Sequence, residues 1–442
     1  MKKLSALMLT LLLAADLAGC YLAKPRDKGL TLEPAPAAVA RAPKTQYAGW
    51  TIARAALHNH TVYSDGRYQP ADLLELARRQ GIAILAYTDH REGKIRVGPA
   101  LWIDAGGVEK YGYQKYWDML AGIQKQAAAQ DMIVTRGVEL SSPWMYNSGV
   151  FPDLVINDQA RHFTVYGITD PAVLDGMPAL RSIKSLRPEV APGDTPTEAV
   201  FDYLAAHGGI VFAAHVDEMQ DEWAANIHIL TPPRQWDIRL RNVSGFAAYN
   251  NGFGPRTVAP GALWDSALAE YLAGMRERPL WVISDSDFHG RGDSLDDEIT
   301  VFYLREFTEA DVLAAMREGR MVAMQGPTLQ DVYVSEWSAS DGAQRNPVML
   351  GETVRVKAAP VIRFARSKDL TGIKTRLIRN GKLVREVDGG RLTFTDEEQG
   401  KLREPAFYRV EIIGPLGYQG ERRDLAGTVS ILLTNPIFVR FQ

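Results

Sequence analysis

Histidines in a repeated pattern with carboxylates are the residues of this chain that could do chemistry. Six of the eight histidines fall at or near the ends of runs that the residue pattern predicts to be β-strands. His58 and His60 are two residues apart, and Asp287 and His289 repeat that spacing. Residues two apart on a strand face the same side, so each pair can reach one ion. Imidazole and carboxylate without thiolate favour zinc, manganese or iron.

Further candidate ligands lie between the two pairs: Asp65, His90, Glu139, His162 and His215. One structural zinc needs four ligands, whereas nine candidates imply more than one divalent ion, with a carboxylate such as Glu139 bridging. Asp65, Glu139 and His215 are also the candidates for a direct catalytic role. Asp217 and Asp285 match no ligand position, but they lie near enough in sequence to orient a ligand imidazole.

The elements that must position these side chains alternate between short apolar runs and amphipathic stretches from about residue 50 to 325. Predicted strands cover residues 52–58, 82–87, 132–139, 162–166, 210–215, 245–249 and 280–284, and predicted helices include 70–80 and 197–206. This alternation predicts an α/β architecture, in which active-site residues gather at the C-terminal strand ends. Long interruptions at about 91–118, 170–196 and 217–242 are expected to build the substrate mouth.

The residue pattern of the chain changes after about residue 327. Short alternating runs dominate and helical patterns are few, which predicts a small antiparallel β-sandwich over residues 330–442. Asn380 and Gly381 form a two-residue hairpin sequence, since both central positions of such a turn need positive φ. The catalytic part is expected to span residues 47–327.

The N-terminus predicts export and a lipid anchor. Lys2 and Lys3 precede an apolar stretch that is too short to cross a bilayer, and small residues then lead to Cys20, the chain's only cysteine. The segment LAGC at 17–20 resembles the bacterial lipobox, in which the cysteine is acylated. The resemblance implies a signal peptide at 1–19 and a lipidated Cys20 on a proline-containing tether at 20–46. An ordinary signal peptide with an incidental cysteine is the alternative.

Composition and charge bound the remaining possibilities. Hydrophobic residues make up 46% of the chain and charged residues 23%, as in a folded protein. The net charge of −3 and the lack of a long Lys/Arg run argue against a nucleic-acid partner.

From the N-terminal segment, we expect a protein of the bacterial cell envelope that faces the periplasm or exterior. Tyr21 stands where an aspartate would favour the inner membrane, so the outer membrane is the preferred location.

Five motifs carry a resemblance to a known family. HNHTVYSDG, YTDH, GVELS, AAHVDE and SDFHG, together with His162, resemble the successive motifs of the PHP (polymerase and histidinol phosphatase) superfamily over about residues 52–325. With its lipoprotein N-terminus and C-terminal β part, the chain is most similar to the CehA/McbA-type metallohydrolases. The resemblance implies a distorted (β/α)7 barrel and a trinuclear centre. The implied ligand sets are His58, His60, Glu139 and Asp287; Glu139, His162 and His215; and Asp65, His90 and His289.

Three functional hypotheses follow. The first is a phosphoesterase that cleaves a small phosphomonoester or phosphodiester with a metal-activated hydroxide at a di- or trinuclear site. The second is a hydrolase of carbamate or carboxylic esters on the same centre, because the resemblance includes carbamate hydrolysis. The third is a metal-storing or surface-binding lipoprotein that takes up metal without turnover.

Overall fold

The computed structural model describes residues 43–97, 101–104, 106–141, 146–148, 154–177, 194–224, 227–249, 256–290, 294–329, 331–342, 347–415 and 429–442. The predicted signal peptide, Cys20 and most of the tether lie outside these ranges. Within them, no helix is both long and apolar enough to cross a membrane.

The part up to residue 325 mixes strands with helices. Its strands are β1 (Lys44–Tyr47), β2 (Trp50–Ala56), β3 (Ile84–Tyr87), β4 (Lys94–Val97), β5 (Leu101–Asp104), β6 (Ile133–Ser141), β7 (Tyr146–Ser148), β8 (Leu154–Asn157), β9 (His162–Tyr166), β10 (Ile210–Ala213), β11 (Gln220–Ala224), β12 (Ile227–Thr231), β13 (Val243–Tyr249), β14 (Trp281–Ser284), β15 (Glu298–Leu304) and β16 (Met321–Gln325). Its helices are α1 (Pro70–Arg79), α2 (Tyr113–Ala129), α3 (Ala172–Asp175), α4 (Thr195–Ala206), α5 (Leu263–Leu272) and α6 (Glu309–Glu318). Every residue of β2, β3 and β14 is buried, as expected for strands covered on both faces.

The seven predicted strands are all present and are neighbours in one sheet, in the order β2-β3-β6-β9-β10-β13-β14. Adjacent strands are parallel except at β9, which runs antiparallel to β6 and β10. A bridge between Asn59 and Phe288 links the segments that follow the first and the last of the seven. The mixed α/β class is therefore confirmed, while the closed (β/α)7 barrel stays a prediction.

The segments that connect the seven strands contain further strands, which form small sheets of their own. β4 and β5 make a hairpin within the predicted interruption after β3, and β11 pairs with β12 within the one after β10. β12 also pairs with β8, which pairs with β7, so a four-stranded sheet combines excursions from two places in the chain. The sequence analysis did not anticipate the excursion after β6 that contains β7 and β8.

The C-terminal part contains nine described strands and one helix. They are β17 (Val334–Ser340), β18 (Thr353–Val356), β19 (Val361–Arg366), β20 (Lys374–Arg379), β21 (Lys382–Asp388), β22 (Arg391–Thr395), α7 (Glu397–Leu402), β23 (Ala406–Gly414), β24 (Val429–Thr434) and β25 (Ile437–Phe441). The predicted hairpin turn joins β20 to β21, with φ of 48° at Asn380 and 80° at Gly381.

Strand pairing crosses both predicted boundaries of the catalytic part, and the boundaries themselves stay predictions. β1 begins at Lys44 and pairs with β2, so ordered structure starts inside the predicted tether. β24 pairs with β16, which makes the sheet continuous from the seven strands into the C-terminal part. The other C-terminal sheet contains β17, β19 and β22. A sandwich stays a prediction, but residues 327–330 do not separate two independent hydrogen-bonded units.

Candidate metal centre

The segments His58–His60 and Asp287–His289 lie side by side at the centre of the site. The His60 amide donates to the Phe288 carbonyl at 2.9 Å, and the Phe288 amide donates to the His58 carbonyl at 3.0 Å. The Asn59 side chain donates to the carbonyls of Ala56 and Ala86 at 3.0 and 2.8 Å, away from the histidines. Strand-like alternation thus anchors the middle residue of each motif and leaves the flanking side chains free to converge.

Two of the candidate ligands adopt a left-handed backbone conformation. Asp287 has φ of 47° and His215 has φ of 32°, values that are uncommon for residues with a side chain. Such strain persists only where surrounding structure enforces it and is concentrated at functional sites. Asp287 places Oδ1 3.1 Å from His60 Nε2, and His215 places Nε2 3.6 Å from Glu139 Oε1.

The direction of β9 explains the position of His162. This residue opens its strand, whereas Glu139 lies near the C-terminal end of β6 and His58 and His215 follow the ends of β2 and β10. Because β9 runs antiparallel to β6, its first residue lies at the same edge as the last residue of β6, with His162 opposite Ser141. The Nδ1 atom of His162 is 3.1 Å from Glu139 Oε1.

Glu139 is the focus of the cluster, and its side chain is almost completely buried. Five imidazoles place a ring nitrogen near its two oxygens: His90 at 3.0 Å, His58 and His162 at 3.1 Å, His60 at 3.3 Å and His215 at 3.6 Å. In addition, the Nε2 atoms of His58 and His60 are only 3.1 Å apart. The buried carboxylate is therefore surrounded by imidazole nitrogens on both of its oxygens.

The side chains fall into three overlapping groups whose ligand atoms lie within 4.8 Å of one another. The groups are His58, His60, Glu139 and Asp287; His60, Asp65, His90 and His289; and His90, Glu139 and His162. The first equals an implied ligand set. The second adds His60 to the implied set, and the third has His90 where the resemblance placed His215. Eight of the nine candidates are thus brought together, and His215 borders them through Glu139.

The outer group is completed by Asp65 and His289. His289 Nε2 is 3.2 Å from Asp65 Oδ1, and its Nδ1 lies 2.7 Å from the carbonyl oxygen of Asp287. A carbonyl can only accept a hydrogen bond, so Nδ1 carries a proton, and Nε2 is the ring nitrogen that would bind a metal ion. Asp65 and His289 side chains are 30% and 18% exposed, which makes this the open side of the site.

Asp89 holds the loop that carries Asp65. It accepts hydrogen bonds from the amide and hydroxyl of Thr61 at 2.7 and 2.8 Å, from Ser64 at 2.7 Å and from Tyr116 at 2.8 Å. Its carboxylate is therefore fully used inside the protein and is not a ligand candidate. The sequence motif pairs it with His90 but does not reveal this anchoring role.

The two acidic residues considered as supports behave differently. Asp285 Oδ2 is 3.3 Å from His58 Nδ1, on the side of the ring away from Glu139, so it is placed to orient that imidazole. Asp217 instead accepts hydrogen bonds from Thr257 and Gln235. Its neighbour Glu218 approaches His215, with Oε2 3.6 Å from Nδ1. The expectation for Asp217 was wrong, because the turn after His215 presents the next residue to the ring.

Electrostatics keep the carboxylates of the site ionised. Burial raises the pKa of Glu139, but the imidazoles around it, His58 first, hold that pKa well below its usual range. Burial lowers the pKa of His58, yet Glu139 and other carboxylates raise it well above normal. For His289, burial is likewise outweighed by Asp65 and Asp287, which raise its pKa to about 9. The pocket therefore favours positive charge.

The donor set fits divalent metal ions. In the part of the chain that the structure describes, neither Glu139 oxygen makes a hydrogen bond of acceptable geometry, and His162 Nε2 makes none. Buried polar atoms normally have partners, so unsatisfied oxygens surrounded by imidazoles indicate a site built for cations. The groups present imidazole and carboxylate only, the ligand types of zinc, manganese and non-haem iron.

Comparison with known proteins finds solved structures of low similarity only. No family model matches the sequence, and no curated protein matches it. A two-domain protein from Bacteroides vulgatus containing a predicted PHP-like metal-dependent phosphoesterase is similar at 14% identity, over 88% of this chain and 98% of that one, with a TM-score of 0.38. An amidohydrolase from Chromobacterium violaceum, with bound sulfate and no metal, is similar at 17% identity over 54% of this chain and 88% of that one, with a TM-score of 0.30. At such identities and TM-scores, similarity does not extend to activity, so function has to follow from the residues of the site.

Proposed function

We propose that this chain is a metal-dependent hydrolase of the PHP superfamily, of the CehA/McbA type, and that it acts on phosphate esters. One observation carries the proposal: five imidazole nitrogens within 3.6 Å of the buried Glu139 carboxylate. A cluster used only for packing would satisfy its hydrogen bonds internally, whereas this one leaves both carboxylate oxygens for other partners.

The three groups would hold two or three ions, with His60, His90 and Glu139 each belonging to two groups. Shared ligands keep neighbouring ions close together. Bound divalent ions would lower the pKa of a coordinated water and neutralise the charge that develops on the substrate oxygens.

The chain's own residues define how a substrate approaches. The side chains of His58, His60 and Glu139 are 0–1% exposed and form the closed floor, while Asp65, Asp287 and His289 are 18–30% exposed. An ester would therefore enter from the Asp65 side. Asp285 keeps the His58 ring in orientation, and Asp89 keeps the loop with Asp65 in place. Such fixed positioning is the main requirement in phosphoryl transfer.

Charge balance favours an anionic substrate. Asp65, Glu139 and Asp287 supply three negative charges, and the six imidazoles supply none when they bind metal. Two or three divalent ions would give the ions and their ligands alone a net charge of about +1 to +3, with Asp285 and Glu218 outside this shell not counted. A phosphate ester brings negative charge to this pocket, whereas a carbamate or carboxylic ester does not.

The activity is tested by a panel of esters. Protein stripped of metal and reloaded with manganese or zinc should cleave p-nitrophenyl phosphate or bis(p-nitrophenyl) phosphate, and stripped protein should not. Hydrolysis of p-nitrophenyl acetate or a carbamate alone would replace the phosphoesterase proposal by the ester alternative. Metal uptake with no turnover of any ester would leave only metal storage or surface binding.

We also propose that Cys20 anchors the protein to the envelope through lipid, with the site facing the periplasm or exterior. The proposal rests on the lipobox-like segment and the preceding apolar stretch. Expressed with its N-terminus in a bacterial host, the protein should fractionate with membranes, and Cys20→Ala should release it. A soluble unsubstituted protein would contradict the anchor.

A further inference from the structure

His162 lies at the very start of its strand, next to residues that belong to no strand. It is the first residue of β9, so no strand residue precedes it. Its carbonyl accepts from the Ala214 amide at 3.1 Å, and on its other side it pairs with Ser141, the last residue of β6. The direction of its ring toward Glu139 then depends on how the preceding segment is held.

Arg161, immediately before His162, is fixed by a buried ionic network. Its guanidinium donates to both oxygens of Asp237 at 2.8 and 2.7 Å and to Asp194 at 2.8 Å. The Arg161 side chain is 3% exposed and Asp237 is 5% exposed, so this two-pronged ion pair is shielded from water. Arg234 adds a contact to Asp158, with Nη1 3.4 Å from Oδ1.

The network joins three segments that are far apart in sequence. Asp194 immediately precedes α4, and Asp237 lies in the 3₁₀ turn Gln235–Arg239, which precedes β13. The Arg161 side chain lies over the Phe163 ring, 5.9 Å from its centroid. Asp194 and Asp237 thus form a clamp on Arg161, which lies between the start of α4 and the 3₁₀ turn Gln235–Arg239. The adjacent His162 side chain reaches Glu139.

We propose that Arg161 is a positioning residue for the metal centre, acting through His162, with Asp237 as its partner. The inference rests on the proposed metal-binding function of His162. Weakening the clamp would misplace the His162 ring without removing any ligand. Because side chains that orient a ligand typically change metal affinity 10- to 100-fold, the affinity of the group containing His162 should fall by about that factor.

The test replaces Arg161 by lysine, which keeps the charge and loses the planar fork. Arg320→Lys is the matched control, since Arg320 is also buried and donates to Asp311 at 2.6 Å, Glu318 at 2.7 Å and the Tyr303 carbonyl at 2.6 Å. Tyr303 pairs with Ile52, near the start of β2, whereas His58 follows its end. The control therefore loses comparable contacts away from the site.

Two measurements separate positioning from general stability. The histidine ring NMR signals of metal-free protein, with His162 assigned through His162→Gln, should change for His162 in Arg161→Lys and not in Arg320→Lys. Calorimetric titration with manganese should show the 10- to 100-fold loss for one class of sites in Arg161→Lys alone. Asp237→Asn should reproduce both results, and it decides the matter if Arg161→Lys does not fold.

Opposite results are equally informative. A His162 signal and a manganese affinity that match those of Arg320→Lys would overturn the positioning role. If unsubstituted protein binds no manganese or zinc, the proposed function fails, and the His162 ring signal still decides whether Arg161 positions that side chain.

Discussion

At the scale of single residues, the site is organised by one carboxylate that imidazoles surround. His58 shows how such a ligand is prepared: Asp285 lies near Nδ1, so Nε2 is directed to Glu139 at 3.1 Å and to Asp287 at 3.3 Å. Neither His58 nor Asp287 is replaceable by its neighbours, because both belong to a group that has only four members.

His58→Ala and Asp287→Ala should each abolish detectable ester hydrolysis and reduce bound metal. Each substitution removes one ligand from the group that also contains His60 and Glu139. Elemental analysis and turnover of the most active panel ester measure the two effects. His228→Ala is the control, since His228 stacks on the exposed Trp223 and belongs to none of the groups. Near-normal activity in either ligand variant would contradict the assignment.

Residue types and spacing, together with the family resemblance for His162, indicated which side chains lie near one another, but not how ligands are shared. The spacing of His58 and His60 indicates a common partner, yet only the fold shows that His60 also belongs to the group with Asp65. Glu218 escaped prediction for a similar reason. The left-handed turn at His215 determines which carboxylate faces the ring, and no pattern in the sequence reports φ.

At the scale of elements, the loop from Thr61 to Tyr68 leaves no room for a larger residue at Gly66. A Cβ atom at Gly66 would lie 2.2 Å from the carbonyl carbon and oxygen of His60. Backbone atoms cannot rotate away as a flexible side chain can. The loop that carries Asp65 is thus packed directly against the backbone of a ligand.

Gly66→Ala should therefore displace the loop, lowering the free energy of unfolding by about 1–3 kcal/mol and weakening metal binding. Gly122→Ala is the opposite case, because the position lies within α2 and has open space around it. That substitution should stabilise the protein by about 1 kcal/mol through helix propensity, with metal affinity unchanged. Urea unfolding and manganese titration test both. Equal metal affinity in the two variants would show that the loop can shift without consequence.

Local sequence patterns predicted the existence of elements better than their direction. The seven strands and α1, which begins with Pro70 at its first turn, follow from burial and capping rules. The antiparallel course of β9 does not, since a short apolar run reads the same in either direction. For that reason His162 had only the family resemblance to support it, although its strand lies between β6 and β10.

At the scale of the whole molecule, the C-terminal part completes the catalytic part. Asn435 is fully buried, and its side chain accepts from the Val282 amide at 2.9 Å and donates to the carbonyls of Val282 and Met321 at 3.2 and 3.1 Å. The buried pair between Arg409 and Asp265, at 2.6 Å, ties β23 to α5. The change of residue pattern near position 327 does not reveal these long-range contacts.

A fragment that ends at residue 329 should consequently be insoluble or unable to bind metal. Removing the C-terminal strands exposes the β16 edge and leaves the groups that Asn435 satisfies without partners. A fragment that begins at residue 43 and keeps the C-terminus should remain soluble and is the control. Size-exclusion chromatography and metal analysis give the readout. A monomeric, metal-binding fragment would show that the catalytic part is independent after all.

The bridge between Asn59 and Phe288 also sets the order of events during biosynthesis. Two of the three ligand groups need Asp287 or His289, so neither of these groups can be completed before those residues leave the ribosome. Closing such a long loop is slow compared with forming local helices. These two groups would fill only in the compartment where folding ends, and its metal supply would select their ions.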